Sequence, residues 1–256
     1  MAYILNEDTN YTRRGDTGIV VEDGVLLDVG MDVVDLVIPN SVTEIEENAL
    51  RDHNKLKTVT IPNSMTAINK LAFNGCSTLT SVTIPNSIVS IEYGAFHNCT
   101  SLTSITIPDS VTSIENSAFS YCTGLTSVTI GNSVTGIGDY AFSGCSGLTS
   151  VTLPNSVMSI DDAAFRSCSS LTSVTIGNSV TSIGSSAFNS CSKLNAVTIP
   201  SSVKNIKDFA FSGCPELVSF NFMGTKAQWD AISKGIKWNV GMGTYTVHCT
   251  DGDYTD

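Results

Sequence analysis

The chain has 256 residues, a formal net charge of −11 and 14% charged side chains, well under the ~25% of an ordinary domain. Its acid surplus argues against nucleic-acid backbones and anionic membranes as main partners, because both repel negative charge. No apolar run approaches the roughly 20 residues of a spanning helix, so direct membrane insertion is not expected.

Residues 1 to about 18 are polar and show no periodicity. Met1-Ala2-Tyr3-Ile4-Leu5-Asn6-Glu7 lacks the basic start and apolar stretch of a secretory signal peptide. Acids crowd the N-terminal fifth, among them Glu22, Asp23, Asp28, Asp32, Asp35, Glu44 and Glu46. A solvated, solubilising end explains them more simply than an acidic docking surface. Ile19-Val20-Val21 and Val25-Leu26-Leu27 flank Glu22-Asp23-Gly24 and read as a β-hairpin. Such a hairpin would cover the apolar end and unpaired edge of a stack.

That stack follows from one interval. Phe73, Phe96, Phe119, Phe142, Phe165, Phe188 and Phe211 recur at a constant 23-residue spacing, and self-similarity of this kind sets the architecture. Leu102, Leu125, Leu148 and Leu171 form a second column, Ile105, Val128, Val151 and Val174 a third, and Ile107, Ile130, Leu153 and Ile176 a fourth. L-x-x-V-x-I ends in alternating apolar residues, the signature of a strand with one buried face. One strand cannot bury that face alone, so copies must stack into a parallel sheet over a shared core.

After each strand a Pro or Gly turns the chain, as at Pro108 and Gly131. The next apolar pair, Val111 with Ile114 or Val134 with Ile137, is spaced for either a short extended segment or one helical turn. A-F-x-x-C then predicts a short helical turn, closed by left-handed caps at Gly75, Gly144 and Gly213. The expected fold is a mostly β solenoid, a leucine-rich horseshoe with one parallel strand and a short helical turn per 23-residue repeat. A right-handed parallel β-helix with uniform coils is the alternative. Before the regular repeats, Leu36-Val37-Ile38-Pro39 is the first repeat strand, and Leu50 and His53 stand where Phe and Cys belong. The expected organisation is an N-terminal cap with a hairpin over residues 1–35, the solenoid over 36–222, and a C-terminal cap over 223–256. In that last part Thr225 is placed to cap a short helix bearing Trp229 and Ile232, Trp238 seals the last coil, and Tyr245 to Cys249 forms a final strand.

Cys76, Cys99, Cys122, Cys145, Cys168, Cys191 and Cys214 form a column, with Cys249 apart. The spacing matches no zinc pattern. Stacked side chains point in parallel rather than at one another, so these are expected to be buried free thiols. His53, His97 and His248 have no catalytic partners in the sequence pattern, and His97 is expected to be exposed. Asp161-Asp162 is read as a solvated pair. No phosphate-binding loop, metal-ligand set or cofactor motif appears, and no enzyme activity is expected.

The outward positions of the strands are more informative. With Val82 and Ile84 pointing in, Ser81 and Thr83 point out, followed by Ser104 and Thr106, Ser127 and Thr129, Ser150 and Thr152, and Ser173 and Thr175. These two columns of hydroxyls can each donate and accept. They form a candidate ligand-binding strand face for a protein or glycan. A merely solvated strand face and a template for ordered water or ice are the competing readings.

The repeat resembles the BspA-like leucine-rich repeats, whose unit reads L-T-S-V-T-I-P-x-S-V-T-x-I-G-x-x-A-F-x-x-C. Leu171 to Ile176, Ser179 to Gly184 and Ala187-Phe188-Asn189-Ser190-Cys191 match it almost throughout. The C-terminal G-T-K-A-Q-W-D-A-I and Y-T-V-H-C-T-D-G look like the cap of bacterial members. The resemblance implies a secreted or cell-surface protein that adheres to an extracellular protein or glycan. A structural or spacer role in a surface layer or virion is the alternative.

Overall fold

The structure is a computed structural model that describes residues 3–4 and 18–255. The reading of the first residues as leaderless falls largely outside that part. From Asp35 onward the chain winds into coils, one per sequence repeat, that pack parallel and in register. Ser104, Ile105, Thr106 and Ile107 lie beside Ser127, Val128, Thr129 and Ile130. The fold is therefore the expected parallel solenoid.

Each coil has three faces. The first sheet carries the longer strands, such as Ser127–Ile130 and Ser173–Thr175. Pro or Gly ends each strand, and the turn is closed by a bond such as Val111 N–H to the Pro108 carbonyl, 3.1 Å. The ambiguous apolar pair is resolved here: its second half is a two-residue strand, Gly136–Ile137 in one coil. Eight of these strands form a second parallel sheet from Ala67–Ile68 to Ser233–Lys234. So each coil has a second strand besides the one expected.

The third face is where a helical turn was expected, and it contains no helix. Alternate N–H groups go to two different places. Those of Ala118, Ser120 and Cys122 reach back within the coil, to Glu115, Ser117 and Phe119. Those of Ser117, Phe119 and Tyr121 donate to Asp139, Ala141 and Ser143 of the next coil at 2.7–2.8 Å. A helix would spend every donor inside its own coil. Splitting the donors instead joins neighbouring coils by a third ladder. The geometry needs a left-handed residue twice per coil, as at Ser117 (φ 57°) and Tyr121 (φ 59°). The expected caps Gly75, Gly144 and Gly213 lie in the second of these columns with φ of 73–76°, but Asn98, Ser167 and Ser190 hold the same conformation without being glycine.

Between the faces runs one core. Seven phenylalanine rings from Phe73 to Phe211 are fully buried, with centroids 5.2–5.4 Å apart and planes within 3–8° of parallel. The offset stack adds a modest aromatic term to a large area burial. The cysteine column lies beside it. All seven thiols are free and buried, and each donates to a main-chain carbonyl of the preceding coil, as Cys122 Sγ does to Phe96 at 3.1 Å. Burial pushes the Cys122 and Cys76 thiols up to about 12.

The ends follow the same logic. Ile19–Glu22 and Val25–Val29 form a hairpin across Asp23 and Gly24, both with positive φ, and its second strand pairs with Glu44–Ile45. Two consecutive left-handed residues give the turn twist that suits a two-residue hairpin. His53 stands in the cysteine column, buried, with Nε2 2.6 Å from the Val29 carbonyl and Nδ1 3.2 Å from that of Arg51. It bonds backward as the cysteines do, but its longer side chain reaches the hairpin. At the other end Thr225 caps the helix Lys226–Asp230 in a capping box with Gln228. This short helix lengthens the last coil, so Lys237 and Gly241 follow Phe209 and Gly213 at a wider interval than the regular coils keep. Trp229 and Trp238 are buried and pack around Phe220, closing the core. Among the described residues, no helix is long and apolar enough to cross a membrane.

Candidate functional site

All ten strand-face residues, Ser81, Thr83, Ser104, Thr106, Ser127, Thr129, Ser150, Thr152, Ser173 and Thr175, are exposed on the first sheet. Within each run of paired strands they stand in register: Thr106 beside Thr129, and Ser150 and Thr152 beside Ser173 and Thr175. Neighbouring strands lie ~4.8 Å apart and alternate residues of one strand about 6.7 Å apart. The hydroxyls thus form a two-dimensional grid without an ionisable side chain among them.

Other hydroxyl columns on the surface behave differently. Thr126, Thr149 and Thr172 each donate from Oγ1 to the carbonyl of the equivalent residue one coil earlier, at 3.0–3.2 Å. Thr112 and Thr135 do the same on the second sheet. Their hydrogen-bonding capacity serves the stack. Among the described residues, none of the ten strand-face side chains makes such a bond, because the strand pleat points them directly away from the backbone of their neighbours. Their capacity is free for solvent or a ligand.

The first sheet is not continuous. Its hydrogen-bonded ladder opens between Ser81–Thr83 and Ser104–Ile107, and again between Ser127–Ile130 and Ser150–Thr152. Ile38, Leu153 and Ile176 each donate to a threonine carbonyl of the next coil at 2.9–3.1 Å, whereas Ile61 and Ile84 in the same column do not. The last strand before each opening lets its valine out: Val82 and Val128 are half-buried, whereas Val151 and Val174 are fully buried. At the second opening a shallow groove of about 340 Å³ is lined by Ser127, Val128, Thr129, Asn132, Ser150 and Thr152, among others. Four of these are predicted site residues. Val128 and Asn132 were not anticipated, since nothing in a repeated motif marks which ladder will open.

The remaining chemistry is sparse. Among the described residues no group of three or more His, Cys, Asp or Glu side chains is arranged to hold a metal. His97 is half-buried rather than exposed: it packs edge-on to Tyr121 at 5.7 Å, and burial lowers its pKa. His248 meets Asp253 at 2.9 Å across the terminal hairpin. Asp161 is half-buried, not fully solvated as expected.

In-register coils over one closed core, with an open sheet for a surface, define a solenoid repeat protein, a class that presents surface rather than enclosing a site. Residues 30–148 and 112–231 match the BspA type leucine-rich repeat region, in six copies. The chain belongs to this family, whose repeats typically serve as protein-binding or adhesin-like scaffolds rather than enzymes. Among solved structures, a leucine-rich repeat protein from Bacteroides ovatus is 26% identical, with a TM-score of 0.58 over 85% of this chain and 69% of that one. A leucine-rich cell surface protein from Faecalibacterium prausnitzii is 28% identical, with a TM-score of 0.43 over 78% of this chain and 82% of its own. A leucine-rich repeat protein from Eubacterium ventriosum is 23% identical, with a TM-score of 0.50 over 86% of this chain and 63% of that one. No curated protein matches the chain.

Proposed function

We propose that the protein is a non-enzymatic adhesion module, displayed at a cell surface or secreted, that binds an extracellular protein or glycan through the strand face of the first sheet. The observation that carries this reading is the contrast between hydroxyl columns. Those on the flanks are spent on the stack, while the ten on the strand face are unspent. A rigid, uncharged grid of donors and acceptors suits a neutral polar surface. The groove at Val128 adds an apolar strip between hydroxyls, which a ligand can desolvate. The family's usual role points the same way.

A panel of immobilised matrix proteins and glycans, probed with the intact chain, tests it. Saturable binding to at least one is expected. The triple variant Thr106→Lys, Thr129→Lys, Thr152→Lys should reduce that binding at least tenfold with an unchanged circular dichroism spectrum. Undiminished binding by the folded variant would place the contact elsewhere.

A further inference from the structure

The second sheet carries a cavity that the strand face does not use. It holds about 360 Å³ and is lined by Tyr93, Ser113, Glu115, Asn116, Gly136 and Asp161, among others. Its floor is Gly136, within the two-residue strand Gly136–Ile137. The same column holds Ala67, Ser90, Ser113, Ser159, Ser182 and Asn205 in the other coils.

A glycine inside a strand weakens it, and marks a bulge, a tight bend or the close approach of another backbone or a ligand. Here the register runs unbroken from Ser113 through Gly136 to Ser159, so there is no bulge. Its φ lies outside the left-handed region. A Cβ built on it would meet nothing nearer than Ser159 Oγ at 3.5 Å, an ordinary contact. Gly138 differs: a Cβ there would lie 2.8 Å from the backbone nitrogen of Asn116, so a side chain there would need the adjoining backbone to shift. Coil packing therefore does not demand a glycine at 136, and the side chain it lacks is what leaves the groove open.

The walls indicate the ligand's chemistry. Glu115 lies in the coil before Gly138 and Asp161 in the coil after, two coil spacings or about 10 Å apart along the stack. The backbone N–H of Tyr93 donates to Glu115 Oε2 at 3.1 Å, which ties that carboxylate to the aromatic residue, and the Tyr93 side chain is exposed at the rim. Among the described residues, neither Glu115 nor Asp161 is in an ion pair; Lys207, the nearby cation, pairs with Asp162 at 3.5 Å. Burial, reinforced by the charges of Asp139 and Asp162, pushes the Asp161 carboxyl up despite Ser159 and Lys207.

We propose that this glycine-floored notch binds an arginine side chain of a partner protein, its guanidinium held between Glu115 and Asp161 with the Tyr93 ring against its face. The guanidinium is planar, carries donors on opposite edges and stacks on aromatic rings. Hydrogen bonds from it to carboxylates are charge-assisted. A lysine ammonium is a single point charge and serves one wall. A neutral sugar leaves both carboxylates without a counter-charge. The net charge of −11 draws a basic partner toward the surface.

An NMR titration of the intact ¹⁵N-labelled chain with N-acetyl-Gly-Arg-Gly-amide tests the site. Saturable shifts are expected at the Gly136 and Gly138 amides. Binding should weaken at least tenfold with the isosteric citrulline peptide, with the Glu115→Gln/Asp161→Asn variant, and with Gly136→Val, which fills the notch without a backbone clash. The strand-face triple variant should bind the peptide as the parent does, so the two sites succeed or fail separately. No saturable shift, equal binding of the citrulline peptide, or undiminished binding by folded Gly136→Val overturns the proposal. Tighter binding of a lysine peptide or a neutral disaccharide at these amides also overturns it.

Discussion

A column of buried thiols ties this protein's stability to alkali. Each thiol of the column gives its S–H to a main-chain carbonyl of the preceding coil, as Cys145 does to Phe119 at 3.1 Å. Burial disfavours the thiolate, and Cys76 and Cys122 are held at about 12, against a usual value of about 8.5. The folded value lies above the unfolded one, so the neutral thiols contribute full stability below pH ~8.5, and that contribution fades as pH rises toward the folded value. Each shifted thiol should cost about 1.4 kcal/mol per pH unit across that window. Urea midpoints measured from pH 8 to pH 11 should therefore fall steeply, and replacing Cys122 with Ala should make the fall shallower. A midpoint independent of pH above 9 would mean that the thiols ionise freely in the folded protein. In the native state at pH 8 only Cys249, half-buried and outside the column, should react readily with a thiol reagent.

At the scale of the element, the third face bears the strain. Every regular coil places two residues in the left-handed region, and most of them carry side chains: Leu71, Ser117, Tyr140, Ala163, Ser186 and Phe209 in one column. Each such residue costs roughly 1–2 kcal/mol relative to its preferred conformation. The inter-coil ladder offsets this cost, since the conformation is what aims the N–H of Ser186 at the Asp208 carbonyl, 2.9 Å away. Gly94 occupies the same column at φ 60°, so the position accepts glycine. Ser186→Gly relieves the strain at a smaller entropic cost of about 0.5–1 kcal/mol. It should stabilise the protein by about 0.5–1 kcal/mol, read as a higher urea midpoint with an unchanged slope. A lower midpoint would show that the Ser186 side chain makes a contact worth more than the strain.

For the molecule as a whole, the core is a one-dimensional stack in which each coil touches only its neighbours. Phe142 lies mid-stack between Phe119 and Phe165, at 5.2 and 5.3 Å. Phe142→Ala opens a cavity with little freedom to collapse, because the ladders of the second and third faces hold the coil spacing on both sides of it. The expected loss is roughly 3–5 kcal/mol by chemical denaturation. A loss near zero would contradict a close-packed ladder. Much of this was legible in the sequence. The constant repeat interval, the apolar columns, the free thiols, the Asp23-Gly24 hairpin and the Thr225 cap all follow from residue type and spacing, which report on each residue's immediate neighbours and on the same position in the next coil. The strand-face hydroxyls were legible for the same reason, since alternation alone says which side chains point outward.

The tertiary structure decided what depends on competition between partners. Whether A-F-x-x-C closes on itself as a helix or shares its donors turns on carbonyls that belong to the following coil, and the shared ladder prevails because it satisfies that coil as well. Near-identical strands give no sign of which ladder opens at Val82 and Val128. The notch over Gly136 comes from a missing side chain between walls that come from neighbouring coils, Glu115 before and Asp161 after, and from Tyr93 one coil further back. A repeated sequence therefore determines the coil, while the departures from repetition acquire chemical meaning only once the coils are stacked.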